Sequence, residues 1–122
     1  MISPYSGTKD FTIYQGSTFR LEFQYLTKTS DGQTPIDMTG CVARMQLRQT
    51  AKSETIYFDL LASGCISIID AENGKILINI PALETENFTF TRAAYDLELA
   101  YPDGEVERLL QGYINISSEV TR

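Results

Sequence analysis

Residues 18–25 carry the most regular pattern in this chain, a strict alternation of apolar and polar side chains. The apolar members are Phe19, Leu21, Phe23 and Tyr25, and the polar members between them are Arg20, Glu22 and Gln24. Because successive side chains of a β-strand point to opposite faces, the alternation predicts a strand with one buried face and one face in water. Such a strand is typical of an antiparallel sheet that is packed on one side only.

The alternation returns in two later segments, which are separated from their neighbours by turn-forming dipeptides. The apolar positions there are Ala43, Met45 and Leu47, then Ile56, Phe58 and Leu60. The dipeptides are Asp31-Gly32, Asn73-Gly74 and Asp103-Gly104, which accept positive φ at little steric cost. We expect hairpins around the second and third of these pairs. Gly112 interrupts the last apolar run and predicts a β-bulge at that position.

The length of 122 residues allows one domain with one continuous core. We expect the core to span residues 10–116, with an N-terminal arm at 1–9 and a C-terminal tail at 117–122. Residues 81–87, which begin with a proline followed by acidic residues, predict at most a short helical turn. Seven or eight short strands with regularly spaced turns indicate an all-β fold, a sandwich or a barrel. The strand that begins near Tyr95 favours the immunoglobulin-like antiparallel sandwich.

Tyr95 gives the sandwich prediction a specific candidate residue. It stands near the start of a late strand after an irregular segment, where immunoglobulin-like domains place a tyrosine whose hydroxyl bonds to upstream backbone. The alternative is a tyrosine that packs in the core beside Leu97 and Leu99 without that hydrogen bond.

The sequence offers little for catalysis. It contains no histidine, so the commonest general base and zinc ligand is missing, and its two cysteines, Cys41 and Cys65, are not spaced as a metal or redox motif. Pairs such as Asp96 and Glu98 fit a solvated strand face better than an acid and base couple. We therefore expect a protein that is not an enzyme and that has no catalytic residue, cofactor or metal site.

The net charge and the first residues of the chain indicate where the protein is located and which partners it binds. A net charge of −6 disfavours binding to nucleic acid. The first residues lack the basic and apolar segments of a secretory signal, and no apolar run approaches the length of about 20 residues that a membrane span needs. We expect a cytoplasmic protein with no membrane partner and with both cysteines reduced.

Four segments resemble small virion proteins of tailed bacteriophages and prophages. They are residues 10–20 (DFTIYQGSTFR), 35–48 (PIDMTGCVARMQLR), 95–104 (YDLELAYPDG) and 108–112 (RLLQG). They are similar to the immunoglobulin-like N-terminal domain of baseplate upper proteins, over about residues 10–116. The resemblance implies a free-standing structural protein of the virion, a tail or baseplate adaptor or attachment module. The alternative is a capsid decoration or surface-adhesion protein. Either would be found in the host cytoplasm during assembly and then in the virion.

Binding to other virion proteins, in several copies or as a homo-oligomer, is the remaining expectation. A sandwich has sheet edges that can accept a strand, and the chain has two termini that could be donated. The residues predicted for these assembly arms are Ile2, Ser3, Pro4, Tyr5, Val120 and Arg122. The alternative is that the two termini are chain ends with no role in assembly.

Overall fold

A computed structural model describes residues 7–118 of the chain, and the predicted assembly-arm residues all lie outside this range. The described part consists of short strands and one helical turn. In chain order the elements are β1 Gly7–Thr8, β2 Phe11–Tyr14, β3 Phe19–Gln24, β4 Leu26–Thr29, β5 Gly32–Pro35, β6 Val42–Arg48, β7 Ile56–Asp59, β8 Ile66–Asp70, β9 Lys75–Ile80, α1 Ala82–Thr85, β10 Arg92–Ala100 and β11 Val106–Ser117. No helix within residues 7–118 is long and apolar enough to cross a membrane.

The strands form two facing sheets. The larger has the order β1-β11-β10-β6-β7, with β2 also paired to β11, and the smaller has the order β3-β9-β8. A separate hairpin of β4 and β5 lies between β3 and β6 in the chain. Immunoglobulin domains divide their seven strands, A to G, in the same way: strands B, E and D face a sheet built on strands C, F and G. The predicted all-β sandwich is confirmed, and α1 falls inside the short helical turn predicted at 81–87.

The turn dipeptides stand at the hairpin connections. Asn73-Gly74 joins β8 to β9, Asp103-Gly104 joins β10 to β11, and Gly32 begins β5 just after Asp31. At Gly74, φ is 63°, and a Cβ atom would lie 2.8 Å from the Tyr25 carbonyl oxygen and 2.7 Å from that of Ile36. Only glycine fits there, because the turn packs closely against the backbone of Tyr25 and Ile36.

The core lies between the two sheets and contains most of the predicted apolar positions. Its members with no exposed surface include Ile13, Leu47, Leu60, Leu97, Leu99 and Ile114. Ile56, predicted to be buried, is 44% exposed. The pairing of β6 with β7 shifts register between Leu47 and Arg48, which sets Ile56 opposite Arg48 on the outer face. A one-residue shift moves a side chain to the other face of the sheet.

The β-bulge predicted at Gly112 lies three residues earlier. Leu97 pairs with Leu110 while Glu98 pairs with Arg108, so Leu109 is the extra residue, and Gly112 pairs in regular register with Tyr95. Gly112 is needed for a different reason, a close approach of two chain segments. A side chain at position 112 would collide with the Lys9 carbonyl and with the Asp10 carboxylate.

The first strand is held on β11 at this crossing. Gly7 pairs in parallel with Leu110, and the Lys9 amide donates to the Gln111 carbonyl over 2.9 Å. The Asp10 carboxylate in turn accepts from the Tyr113 amide at 2.9 Å. The N-terminal arm predicted for residues 1–9 is therefore wrong for Gly7 and Thr8, which form β1 of the large sheet, and for Lys9, which is hydrogen-bonded to β11. Ser117, predicted to begin the tail, is the last residue of β11.

Tyr95 is buried at the same crossing, where its hydroxyl donates to the Lys9 carbonyl. The hydroxyl thus bonds to upstream backbone, but the partner belongs to the first strand instead of the connection that immediately precedes β10. Burial, and secondarily the nearby Asp10 carboxylate, raises the pKa of Tyr95 well above its ordinary value. The phenol is therefore protonated at neutral pH and can donate this hydrogen bond.

Removing this hydroxyl tests how strongly it holds the first strand. We expect Tyr95→Phe to lower the free energy of unfolding by about 1 kcal/mol, the usual loss for one buried hydrogen bond. Tyr113→Phe is the matched control, because Tyr113 is 44% exposed. Urea denaturation of the two variants measures the difference, and equal midpoints would show that the Tyr95 hydroxyl contributes nothing to stability.

Candidate functional site

The outer edge of the small sheet is incompletely covered. Phe19, Leu21 and Phe23 of β3 point toward the core, as their alternation predicts, yet all three are only partly buried. Their direct cross-strand partners on β9 are Ile80, Ile78 and Ile76, which are 1%, 2% and 0% exposed. The side chains of β3 are more exposed than those of β9 because β9 is the central strand of its sheet and β3 is at the edge.

The position beside β3 is open because the first strand lies elsewhere. In constant-type immunoglobulin domains the corresponding sheet has four strands, the first strand lying next to the second. Here β1 and β2 both pair with β11 in the opposite sheet. Within residues 7–118, β3 pairs only with β9, and no backbone hydrogen bond reaches its outer edge between Phe19 and Gln24.

An apolar groove runs along this edge between the two sheets. It has a volume of about 440 Å³. Its floor is formed by Phe11 of β2, Leu21 and Phe23 of β3, and Leu109 and Leu110 of β11. The bulge in β11 contributes to the groove, because it brings two successive leucines to it. The partly exposed Leu21 and Phe23 of β3 are thus part of a continuous apolar surface.

The other edges of the sandwich are interrupted. β7 shifts register against β6 between Leu47 and Arg48, and β8 shifts against β9 between Ile68 and Asp70. The edge formed by β1 and β2 is broken by the two residues between them. Irregularities of this kind protect edges against pairing with other strands. β3 instead pairs with β9 over six residues without a register shift. It is therefore the edge best suited to accept another strand.

The solvent face of β3 carries two opposite charges. Arg20 and Glu22 are exposed, and neither is in an ion pair with any residue within 7–118. Arg20 has a weak hydrogen bond, 3.5 Å from its Nη1 to Oδ1 of Asn79. Gln24, next on the same face, donates from Nε2 to the Asn73 carbonyl at 2.8 Å. The two charges are thus available to a partner at this edge.

The outer face of the large sheet differs, because two of its arginines are already paired with acidic residues. Arg44 Nε lies 2.9 Å from Oε1 of Glu98, and Arg108 Nε lies 3.4 Å from Oδ2 of Asp96. Burial, and secondarily the Glu98 carboxylate, raises the pKa of Asp96. Asp96 and Glu98, which the sequence analysis considered together, both lie on this face, and each lies beside an arginine. We expect this face to be less available to a charged partner than the β3 edge.

The remaining candidate chemistry is dispersed over the fold. Cys41 is partly buried and Cys65 buried, and both are free thiols whose pKa values are raised, mainly by burial. Among the described residues, no three His, Cys, Asp or Glu side chains lie close enough together to hold a metal ion.

The open edge was missed by sequence reasoning, although its strand was the clearest prediction. The alternation in residues 18–25 identifies which side chains face inward, but not whether a neighbouring strand covers them. The available signal was Gly112, which interrupts the last apolar run. It marks a place where two backbones approach closely, and the N-terminal segment joins β11 at that place.

No protein-family model matches the chain, and no curated protein matches its sequence.

Paired alanine substitutions test whether β3 is uncovered. We expect Ile78→Ala to lower the free energy of unfolding by about 3 kcal/mol, as is usual for a fully buried aliphatic residue. Leu21→Ala, its cross-strand partner, should cost about half as much, since Leu21 is only partly buried. Urea denaturation in dilute solution measures both, and an equal cost would mean that the groove is closed in the isolated chain.

Proposed function

We propose that this chain is a non-enzymatic structural protein of a tailed-phage particle, a tail or baseplate adaptor present in several copies. The observation that carries the assembly part of the proposal is the open edge of β3 beside an apolar groove. The virion part rests on the resemblance of residues 10–20, 35–48, 95–104 and 108–112 to the immunoglobulin-like domain of baseplate upper proteins.

Strand addition is the mode of assembly that this edge favours. A strand beside β3 would form main-chain hydrogen bonds with the outward groups of Phe19–Gln24 and would cover the groove. Completing the burial of Phe19, Leu21 and Phe23 would contribute about 1 kcal/mol each. These gains are available without any rearrangement of the sandwich, so the surface is suited to rigid docking.

A structural role also agrees with the disposition of the charged groups. The carboxylates of Asp96 and Glu98 are engaged by Arg108 and Arg44, which leaves them as parts of a charge-balanced face. The sequence contains no histidine to serve as a general base. We therefore propose that the chain contributes binding surfaces to the particle and performs no reaction.

Mass spectrometry of purified particles tests the proposal. We expect peptides of this chain in virions of the phage or induced prophage that encodes it, at about 6 or 12 copies per particle, as the cyclic symmetry of a tail ring requires. Hundreds of copies would indicate the alternative, a capsid decoration protein. Absence of the chain from particles that contain their full set of tail proteins would contradict both forms of the proposal.

A further inference from the structure

We propose that the β3 edge is occupied by β3 of a second copy of this chain, antiparallel and in the register that places Leu21 opposite Leu21. The inference deepens the proposed function, because it names the partner at the edge on which that function rests. It follows from the order of charges along β3 and from the geometry of antiparallel pairing.

The geometry leaves few registers. Two identical sandwiches joined edge to edge keep their cores on the same side only if a twofold axis runs perpendicular to the sheet. Residues opposite each other then lie on the same face, so the axis must run between the two strands, midway between one residue and its own copy. Each register is named here by that residue, as an axis through it. The candidates in the middle of β3 are Arg20, Leu21, Glu22 and Phe23.

Charge selects among these registers. An axis through Arg20 sets two arginines opposite each other, and an axis through Glu22 does the same with two glutamates, which destabilises a sheet. An axis through Phe23 leaves Arg20 without an acidic partner. An axis through Leu21 sets Arg20 of each copy opposite Glu22 of the other, so that two ion pairs form across the axis.

The same register completes the apolar face. Phe19 of each copy lies opposite Phe23 of the other, and the two Leu21 side chains meet at the axis. Large apolar side chains placed directly opposite each other stabilise sheets. The small sheets of the two copies join into one continuous sheet, and the grooves beside the two β3 strands face each other. The partly exposed side chains of β3 are thus covered by their own counterparts.

The ion pairs do not compete with contacts inside one copy. Neither Arg20 nor Glu22 is in an ion pair within residues 7–118, whereas Arg44, Glu98, Asp96 and Arg108 all are. Arg20 and Glu22 are therefore unmatched charges, and they lie at the edge that is also uninterrupted and uncovered. Charge complementarity, regular register and exposed apolar surface point to the same partner.

Charge reversal at the edge tests the register. The dissociation constant of the dimer, measured by analytical ultracentrifugation over a concentration series, should rise about tenfold or more in Arg20→Glu and in Glu22→Arg, since each change sets like charges opposite each other twice. The double variant with both changes restores opposite charges and should return to within about threefold of the original value. Glu54→Arg, an exposed site in the loop before β7, is the matched control and should have no effect.

The other results would overturn the pairing. A chain that stays monomeric at every concentration contradicts it, as does a double variant no tighter than the single ones, provided that circular dichroism shows each variant to be folded. A chain lacking residues 1–6 should dimerise like the full chain. If that deletion abolishes the dimer while the charge reversals leave it unchanged, the N-terminal segment is the occupant of the edge. Detection in virions is independent of these results, so either proposal can fail alone.

Discussion

The crossing of the first strand over Gly112 is the contact on which the rest of the structure depends. The Lys9 carbonyl accepts from the buried Tyr95 hydroxyl, the Lys9 amide donates to Gln111, and the absence of a side chain at Gly112 allows the close approach. These contacts commit the N-terminal strand to β11 in the large sheet. A strand can lie in only one sheet at this point of the sandwich, so the small sheet has three strands among residues 7–118.

The edge of β3 is open because the N-terminal strands pair with β11 instead. The core-facing side chains of β3 stay partly exposed, while those of β9 beside it are buried, and the Leu109 bulge supplies a second wall to the groove. Natural sheets usually protect an edge with bulges, breaks or inward-pointing charges, and the other edges of this sandwich are interrupted in that way. An edge without such protection exposes a monomer to aggregation, but it provides a pairing surface in a protein that assembles. We interpret β3 as a built interface for this reason.

Sequence reasoning succeeded where the information is local and failed where it depends on neighbours. The alternation from Phe19 to Tyr25 predicted a strand and its buried face, and glycine-containing dipeptides marked the hairpin connections. Tyr95 was a candidate for a hydrogen bond to upstream backbone, but its partner, the Lys9 carbonyl 86 residues away, could not be inferred. Ile56 and Gly112 were misread because a register shift and a close approach are properties of two segments together. The uncovered edge belongs to the same class, since no local pattern tells which strand lies next to β3.

The central claim is that β3 is an open edge in the single chain and is covered by a second copy. Hydrogen–deuterium exchange of the β3 amides over a range of protein concentrations tests it most directly, with β7 as an internal reference because it is also an edge strand. The outward amides of β3 should exchange rapidly in dilute solution and become protected as the concentration rises, while exchange in β7 stays the same. Exchange in β3 that is slow or does not change over the whole range would contradict the account.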